Sequence, residues 1–429
     1  MRCAMYEGVR VALDPTPSQE RRLMSHVGGA RFAYNTMLAY VKESLESGEK
    51  ISWSMYSLRN HWNQVKRSLA VDSDGNEWWQ ENSKEAYNHG ISALADGLSN
   101  WSKSRKGKRM GRRVGFPRFR SKNDSRQSFS YTTGSFGTID GDHHHVRMPR
   151  IGVVHCFENV LSRVGDAKVK RMTVSLSGGR WFASLLVERP DVPLNPNGGP
   201  SVGIDLGVKT LVTLSDGTTY ANPRTVRKCE RRRRRIQRQL ARKTNGSKRR
   251  DRCRMRLAMA YAHERNVRMD YLDKMTTDIA KRYGMVCIED LNVSGMVKNH
   301  RIAKHIEDAS FSTIRRMLEY KCPKYGSELR VIDRYFPSSK RCSNCGLVKA
   351  KLGLGERTFA CERCGLEVDR DLNAATNILV AGSAPETLNA HGADVRPDVD
   401  DGGLTAVKCE PSVCESDVRL GADVRKEVM

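Results

Sequence analysis

The chain lacks several features that would place it in other classes of protein. Its 429 residues contain no run approaching the ~18 apolar residues that a membrane helix needs. Its first residues, MRCAMYEGVRVALDP, contain no long apolar region like that of a secretory signal. It is also poor in acid, with 49 Asp and Glu against 74 Lys and Arg, which gives a net charge of +25. We therefore expect a cytoplasmic, nucleoid-associated protein that binds a polyanion, most simply a nucleic acid. We expect no binding to a membrane.

The cysteines lack the spacing of a disulfide framework. Of 12 cysteines, eight are scattered and four stand as two pairs, Cys342 with Cys345 and Cys361 with Cys364. In the pattern C-x2-C-x15-C-x2-C, each pair forms a tight turn that presents two thiolates. Four sulfur ligands make a closed tetrahedral set, so the spacing predicts one structural Zn²⁺ ion without an open catalytic position. One metal site and scattered thiols favour a reducing compartment.

The order of periodic segments predicts an α+β protein of several domains. A strand pattern at residues 7–13 precedes helical sequence through about residue 103, and a linker rich in proline and glycine follows at residues 190–200. Beyond the linker come three short strands, a long helical insertion, a strand, a helix, a strand, the cysteine pairs and a last helix. This order predicts an RNase H-like domain, which is a mixed sheet flanked by helices.

The remaining segments allow coarser predictions. The helical stretch fits either a small bundle or a nucleic-acid-binding lobe. The short alternating segments at residues 128–188 predict an antiparallel barrel or sandwich. Residues 381–429 contain ten acidic and five basic residues and little periodicity, so we predict a disordered acidic tail.

Two basic tracts indicate where a nucleic acid would bind. In residues 103–126, 11 of 24 residues are Lys or Arg, and Phe116 and Phe119 lie among them. In residues 224–256, 17 of 33 residues are basic. Cations neutralise phosphates and aromatic rings stack on bases, so we favour nucleic-acid contact over two solvated surfaces. The candidate contact residues are Lys106, Arg112, Arg118, Arg120, Lys122, Arg231, Arg232, Arg233, Arg234, Arg235, Arg238 and Arg242.

Three acids stand where a strand or a helix would hold them rigidly. Asp205 interrupts an apolar strand, Glu289 lies at the end of another, and Asp371 begins the last helix. Hydrolysis of a phosphodiester by two Mg²⁺ ions needs several acidic ligands on rigid elements. Taken singly, Asp371 could instead cap its helix and Glu289 could be a surface acid. Spacing alone does not join three acids so far apart.

The motifs around these acids resemble those of the TnpB family, the RNA-guided nucleases of insertion sequences, which are related to compact type V CRISPR effectors. The resemblance rests on GIDLG, IEDLN and DRDLNAATNI, with the cysteine pairs before the last, and on ALDPTPSQ, GFPRFRSK and RYFPSSKRCSNCG. It implies a RuvC-like nuclease centre formed by Asp205, Glu289 and Asp371, with two catalytic Mg²⁺ ions. Asp290 and Asp369 are the neighbouring alternatives.

The resemblance also implies a division of the chain. It places a β-barrel wedge domain at residues 1–14 and 106–199, an inserted helical recognition lobe at 15–105, and a RuvC-like nuclease domain at 200–380 with a zinc ribbon at 337–366. These parts would hold a guide RNA and a target double-stranded DNA, and the nuclease domain would cut that DNA beside a short motif. Two alternatives remain: a transposase that transfers strands without RNA, and a nuclease-inactive nucleic-acid-binding regulator. The oligomeric state is open.

Overall fold

The computed structural model of the chain describes residues 5–122, 126–189, 196–299, 303–353 and 355–384. The predicted acidic tail lies outside the described residues from residue 385 onward. The α+β class is confirmed, because two large sheets form with helices packed against them. None of the helices in the described ranges has the length and apolar composition needed to span a bilayer.

The first sheet is antiparallel and has seven strands. They are β1 (Met5–Asp14), β2 (Ser128–Tyr131), β3 (Gly137–Ile139), β4 (Asp142–Met148), β5 (Gly152–Cys156), β6 (Lys168–Ser177) and β7 (Arg180–Arg189). Their order is β2-β6-β7-β1-β5-β4-β3, so the first strand of the chain lies in the middle of the sheet. Val9 and Val11 are buried and Arg10 between them is exposed, as the alternation of a strand requires. Among the described residues β2 and β3 do not pair with each other, so no closed sheet is found and the predicted barrel is not confirmed.

Three α-helices lie between β1 and β2 in the chain, with a short 3-10 helix (Trp78–Glu81) before the third. They are α1 (Pro17–Glu46), α2 (Met55–Leu69) and α3 (Lys84–Arg105). Thr16 and Gln19 form a capping box at the start of α1. Helices α1 and α3 pack closely, because a Cβ at Gly90 would lie 2.0 Å from the carbonyl oxygen of Ala30. The three helices share a buried core and form the small bundle that the sequence allowed. Members of this core are Leu38, Leu58, Trp62, Ile91 and Leu94.

The second sheet is mixed and has five strands. They are β8 (Ser201–Leu206), β9 (Thr210–Leu214), β10 (Thr219–Ala221), β11 (Met285–Glu289) and β12 (Glu328–Ile332). The order is β10-β9-β8-β11-β12, in which β8, β11 and β12 are parallel and β9 is antiparallel to β8.

Helices cover both faces of this mixed sheet. The short helix α4 (Val160–Val164) packs in the core of the first sheet. The helices that follow β10 are α5 (Thr225–Ala241), α6 (Lys248–Arg282), α7 (Val293–Met296), α8 (Ala303–Ala309), α9 (Phe311–Lys324) and α10 (Arg370–Ser383). Val286 and Ile288 pack with α6 and α9, whereas Cys287 between them packs with Ile378 of α10. The predicted mixed sheet flanked by helices is therefore confirmed.

Candidate active site

The strand register places Asp205 and Glu289 side by side. β8 and β11 pair in parallel with Ile204 opposite Ile288, so Asp205 and Glu289 are the next residues on neighbouring strands. Ile204 and Ile288 are buried in the core under α6 and α9. Because side chains alternate along a strand, the two acids point to the opposite face, the face to which Gly203 belongs.

Helix α10 packs on the strand that carries Asp205. Gly203 permits this approach, since a Cβ there would lie 2.0 Å from the carbonyl oxygen of Ala375 and 2.6 Å from the backbone nitrogen of Leu379. Asp371 stands about one helical turn before Ala375. The packing therefore brings the start of the last helix to the strand end that carries Asp205.

Asp205 lies within electrostatic reach of the other two carboxylates. The pKa of Asp205 is raised to about 7, first by desolvation and then by the negative charges of Asp371 and Glu289, while Arg370 acts in the opposite direction. Desolvation raises the pKa of Glu289 to about 7. Carboxylates gathered in this way repel one another, and a bound cation relieves that repulsion. The structure thus places Asp205 within electrostatic reach of the other two acids that the sequence proposed.

Asp371 and its neighbour Asp369 have different partners. Asp371 Oδ1 accepts hydrogen bonds of 3.3 Å from Nε and Nη2 of Arg370, and Arg357 Nη1 lies 3.9 Å from Asp371 Oδ2. Asp369 Oδ1 accepts the backbone N–H groups of Asp371 at 2.9 Å and of Leu372 at 3.1 Å. Asp369 is therefore the residue that caps α10.

Asp290 is likewise distinguished from Glu289 by its partners. Its carboxylate forms ion pairs with Arg315 and Arg334. Hydrogen bonds from Arg334 and Arg315 lower the pKa of Asp290, whereas the pKa of Glu289 is raised. Of these two acids, Glu289 contributes to the repulsion at Asp205.

The four paired cysteines form one cluster. Cys342 Sγ lies 3.6 Å from Cys364 Sγ, and Cys345 Sγ lies 3.5 Å from Cys361 Sγ. All four sulfur atoms lie within 4.8 Å of one another. Tetrahedral bonds of ~2.3 Å to zinc separate sulfur atoms by about 3.8 Å, so the cluster fits one structural zinc ion.

Both cysteine pairs adopt the same turn. Gly346 and Gly365 follow the pairs with φ of 76° and 71°, values that favour glycine. Each donates a 3.0 Å hydrogen bond, to the carbonyl oxygens of Cys342 and Cys361 respectively. The second pair lies between β13 (Thr358–Ala360) and β14 (Glu367–Asp369), and α10 begins directly after β14.

Two buried asparagines join the cysteine cluster to α10. Asn373 accepts a hydrogen bond of 2.9 Å from Ser343 N–H and donates one of 2.7 Å to the carbonyl oxygen of Arg341. Asn377 donates a 2.6 Å hydrogen bond to the same carbonyl oxygen. Asn373 stands two residues after Asp371, so one helix serves both sites. Sequence reasoning missed both residues, although amides in a largely apolar helix could have indicated buried hydrogen bonds.

The residues predicted in the first basic tract are mostly exposed. The exposed members are Lys106, Arg112, Arg118 and Lys122. Arg120 is half-buried, with its guanidinium 3.8 Å from the centre of the Tyr34 ring. The Asn35 side chain also accepts the backbone N–H of Arg120, at 2.8 Å, so this residue is fixed against α1.

The predicted contact residues of α5 divide between two faces. The exposed members are Arg231, Arg232, Arg234, Arg235, Arg238 and Arg242. Arg233 points toward α6, where its Nη1 lies 2.5 Å from Oε2 of the buried Glu264. The charge run thus presents most of its arginines to solvent and uses one to join two helices.

Three family models match the chain. A model described as "Probable transposase" matches residues 184–300, "Cas12f1-like, TNB domain" matches residues 311–378, and "Helix-turn-helix domain" matches residues 1–50. The second match contains the cysteine cluster and Asp371. Over the described part of residues 1–50 the structure has one strand, β1, and one helix, α1.

Several curated proteins are similar to the chain. "Putative RNA-guided DNA endonuclease Rv2885c" of Mycobacterium tuberculosis is 34% identical over 420 residues, covering 92% of this chain and 90% of the relative. "Putative RNA-guided DNA endonuclease InsQ" of Escherichia coli K12 is 29% identical over 394 residues, covering 88% and 92%. "TnpB-like protein L79" of Acanthamoeba polyphaga mimivirus is 33% identical over 118 residues, covering 26% and 22%. This chain belongs to the TnpB family, because it is similar to the mycobacterial protein over nearly the whole of both chains.

Proposed function

We propose that this protein is an RNA-guided DNA endonuclease of a transposable element, which cuts target DNA beside a short motif. The observation that carries the proposal is the position of Asp205: desolvation first, and then the charges of Asp371 and Glu289, raise its pKa. The names of the full-length relatives in M. tuberculosis and E. coli support RNA guidance and DNA cleavage.

The three carboxylates would hold two Mg²⁺ ions, since magnesium prefers oxygen ligands. Such ions activate a water molecule and stabilise the leaving oxygen of the cut strand. The chain itself supplies rigidity: Asp205 and Glu289 lie at the ends of parallel strands, and Asp371 lies in the first turn of a helix packed on β8. Arg370 hydrogen-bonds Oδ1 of Asp371, and Arg357 lies near Oδ2.

The proposed domains are those that the family resemblance implies. A wedge domain comprises residues 1–14 and 106–199, a recognition lobe residues 15–105, and a RuvC-like nuclease domain residues 200–380 with its zinc ribbon at 337–366. One observation supports the first division: β1 and β7 are neighbours in one sheet, and α1, α2 and α3 come between their positions in the chain. Guide RNA and target DNA would bind the exposed arginines of the two basic tracts.

The first experiment identifies the RNA and then tests the cut. Full-length protein is purified, its bound RNA is sequenced, and duplex DNA matching that RNA is incubated with the complex and Mg²⁺. The parent and an Asp166→Ala control, which alters an exposed acid before β6, should cut the DNA. Asp205→Ala should retain the RNA and lose cutting. Equal cutting by Asp205→Ala and the parent would contradict the proposed centre.

A second candidate is a strand-transfer transposase that works without RNA, which the "Probable transposase" match favours. It would use the same three acids, so substitution does not distinguish the two functions. Treatment with ribonuclease does: an RNA-guided nuclease loses target cutting, whereas a transposase keeps its activity on transposon ends.

A further inference from the structure

A small cavity opens beside Glu289. Its volume is about 300 Å³, and Leu206, Glu289 and Phe311 are among the residues that line it. It lies between the end of β11, the loop that follows, and the first turns of α9. Small-molecule sites have volumes of about 300–1,000 Å³, so this cavity holds one nucleotide-sized group and excludes a duplex.

Three arginines, Arg315, Arg316 and Arg334, also line the cavity. Asp290 binds two of them at once: Arg315 Nη1 donates to Oδ1 of Asp290, and Arg334 Nη2 donates to Oδ2 at 2.5 Å. Asp290 thereby fixes two guanidinium groups in the cavity that Glu289 also lines.

This pairing leaves donors available to a ligand. Arg315 donates to Asp290 through Nη1 and to Glu319 through Nε at 3.1 Å, and Arg334 donates to Asp290 through Nη2 and Nε. Within the described part of the chain, each guanidinium therefore uses two of its three nitrogen atoms. Since a guanidinium carries five N–H donors, both arginines can still bind a phosphate.

An exposed aromatic ring stands next to this cavity in the chain. Tyr335 follows Arg334 and is 86% exposed. β11 and β12 pair in parallel with Glu289 opposite Ile332, so Tyr335 leaves the sheet at the edge where the acids lie. Its backbone N–H donates to Asp333 Oδ1 at 2.7 Å, which fixes the turn. An exposed ring one residue from a fixed arginine is suited to stack on an unpaired base.

We propose that this cavity is a subsite for single-stranded DNA, which holds a nucleotide beside the phosphate to be cut. Arg315 and Arg334 bind the phosphate of that nucleotide, and Tyr335 stacks on its base. Asp290 is a positioning residue that holds the two arginines in place. The inference rests on the proposed function, because the strand bound here is the one presented to Glu289.

A fluorescent base tests the stacking directly. The full-length protein with its co-purified RNA is bound to target DNA that carries 2-aminopurine at successive positions, with Ca²⁺ in place of Mg²⁺ so that binding is measured without cutting. At one position Tyr335 should quench the probe, Tyr335→Phe should keep the quenching, and Tyr335→Ala should remove it. Tyr320→Ala is the matched control, since Tyr320 is also exposed and lies on α9. Unchanged quenching in Tyr335→Ala at every position would overturn the subsite.

Kinetics test the arginine pair. Arg334→Gln should raise KM for target DNA about tenfold with little change in kcat, because ground-state and transition-state binding are lost equally. It should also reduce the salt slope of log affinity by about 0.7, the value for one phosphate contact on a single strand. Asp290→Asn should likewise raise KM for target DNA. Combining Asp290→Asn with Arg334→Gln should raise KM no further.

Arg282→Gln is the matched control, since Arg282 is exposed and pairs with Asp278 at the end of α6. Equal KM values for Arg334→Gln and Arg282→Gln, in a parent protein that cuts, would overturn the subsite alone. A parent protein that cuts no RNA-matched DNA would overturn the proposed function and the subsite together.

Discussion

The cysteine cluster and the carboxylate site adjoin the same helix, α10, but they are assembled in different ways. The cysteines lie in one short stretch, and each pair is held by its own turn. The carboxylates come from two strands and a helix, and they meet only because β8 and β11 pair with Ile204 opposite Ile288. A site made by local turns can therefore be predicted from spacing, whereas a site made by sheet register depends on the whole domain.

The two sites are also joined. Asn373 hydrogen-bonds the backbone on both sides of Cys342 and stands two residues from Asp371. The comparison therefore predicts an asymmetry. Damage to the carboxylates should leave zinc in place, whereas damage to the cysteines should reach the carboxylates through α10.

The largest effect is expected for Asp205→Ala. Removing one acid of the centre should reduce the rate of target cutting by about a thousandfold or more. Zinc content, measured by elemental analysis, should stay near that of the parent. Loss of zinc together with cutting would show that the variant had disturbed the fold, and the two sites would no longer be separable.

Cys342→Ser should affect both sites. With one thiolate lost, zinc should fall from near one ion per chain to near zero. Cutting should fall by about a hundredfold, because α10 loses the rigid partner of Asn373. Cys229→Ser, at a half-buried cysteine outside the cluster, is the control and should keep both zinc and cutting. Near-zero zinc in the parent protein would contradict the metal assignment.

Asn373→Ala sharpens the proposed link. It deletes two hydrogen bonds to the backbone of Arg341 and Ser343, on either side of Cys342, and leaves all four sulfur ligands. We expect zinc to be retained and the Mg²⁺ concentration needed for half-maximal cutting to rise about tenfold, as for other residues that orient metal ligands. An unchanged Mg²⁺ requirement would show that the asparagine stabilises the helix without positioning Asp371.

The smallest effect concerns stability in buffer without Mg²⁺. Because the pKa of Asp205 is raised to about 7 from 3.8, the folded protein keeps a proton that the unfolded chain releases between about pH 4 and pH 7. The free energy of unfolding therefore falls as the pH rises through this window. Asp205→Asn removes this loss, so at pH 8 its free energy of unfolding should exceed that of the parent by about 1–2 kcal/mol.

Denaturant unfolding at several pH values measures this difference. The difference in free energy of unfolding between Asp205→Asn and the parent should shrink as the pH falls toward 5, where Asp205 of the folded parent is protonated. Added Mg²⁺ should stabilise the parent and not the variant, since a ligand that binds only the folded protein raises its stability. A variant less stable than the parent at pH 8 would mean that the raised pKa does not describe this site.

Much of the fold and part of the site could be predicted from residue patterns. The cysteine cluster that fits zinc follows from the spacing of four cysteines. Asp205 stands out because an acid inside an apolar strand is costly without a purpose. The mixed sheet follows from the order of strands and helices. The family resemblance was needed to join Asp205 with Glu289 and Asp371, because no local pattern encodes their register.

Other features depended on contacts that the sequence does not display. Asp369 and Asp371 both stand at the start of α10, and only the hydrogen bonds show which one caps it. Arg233 is identical to its neighbours in the run, so its inward direction depends on where Glu264 lies. The predicted barrel depended on pairing between β2 and β3, which the described strands do not show.

The central claim is that Asp205 and Glu289, far apart in the chain, act as one catalytic centre. The most direct measurement is the single-turnover rate of target cutting for Asp205→Ala, Glu289→Ala and the double variant. The account predicts that each single variant loses nearly all cutting and that the double variant is no slower than either, because one centre is lost only once. Losses that multiply in the double variant, or a Glu289→Ala protein that cuts like the parent, would contradict it.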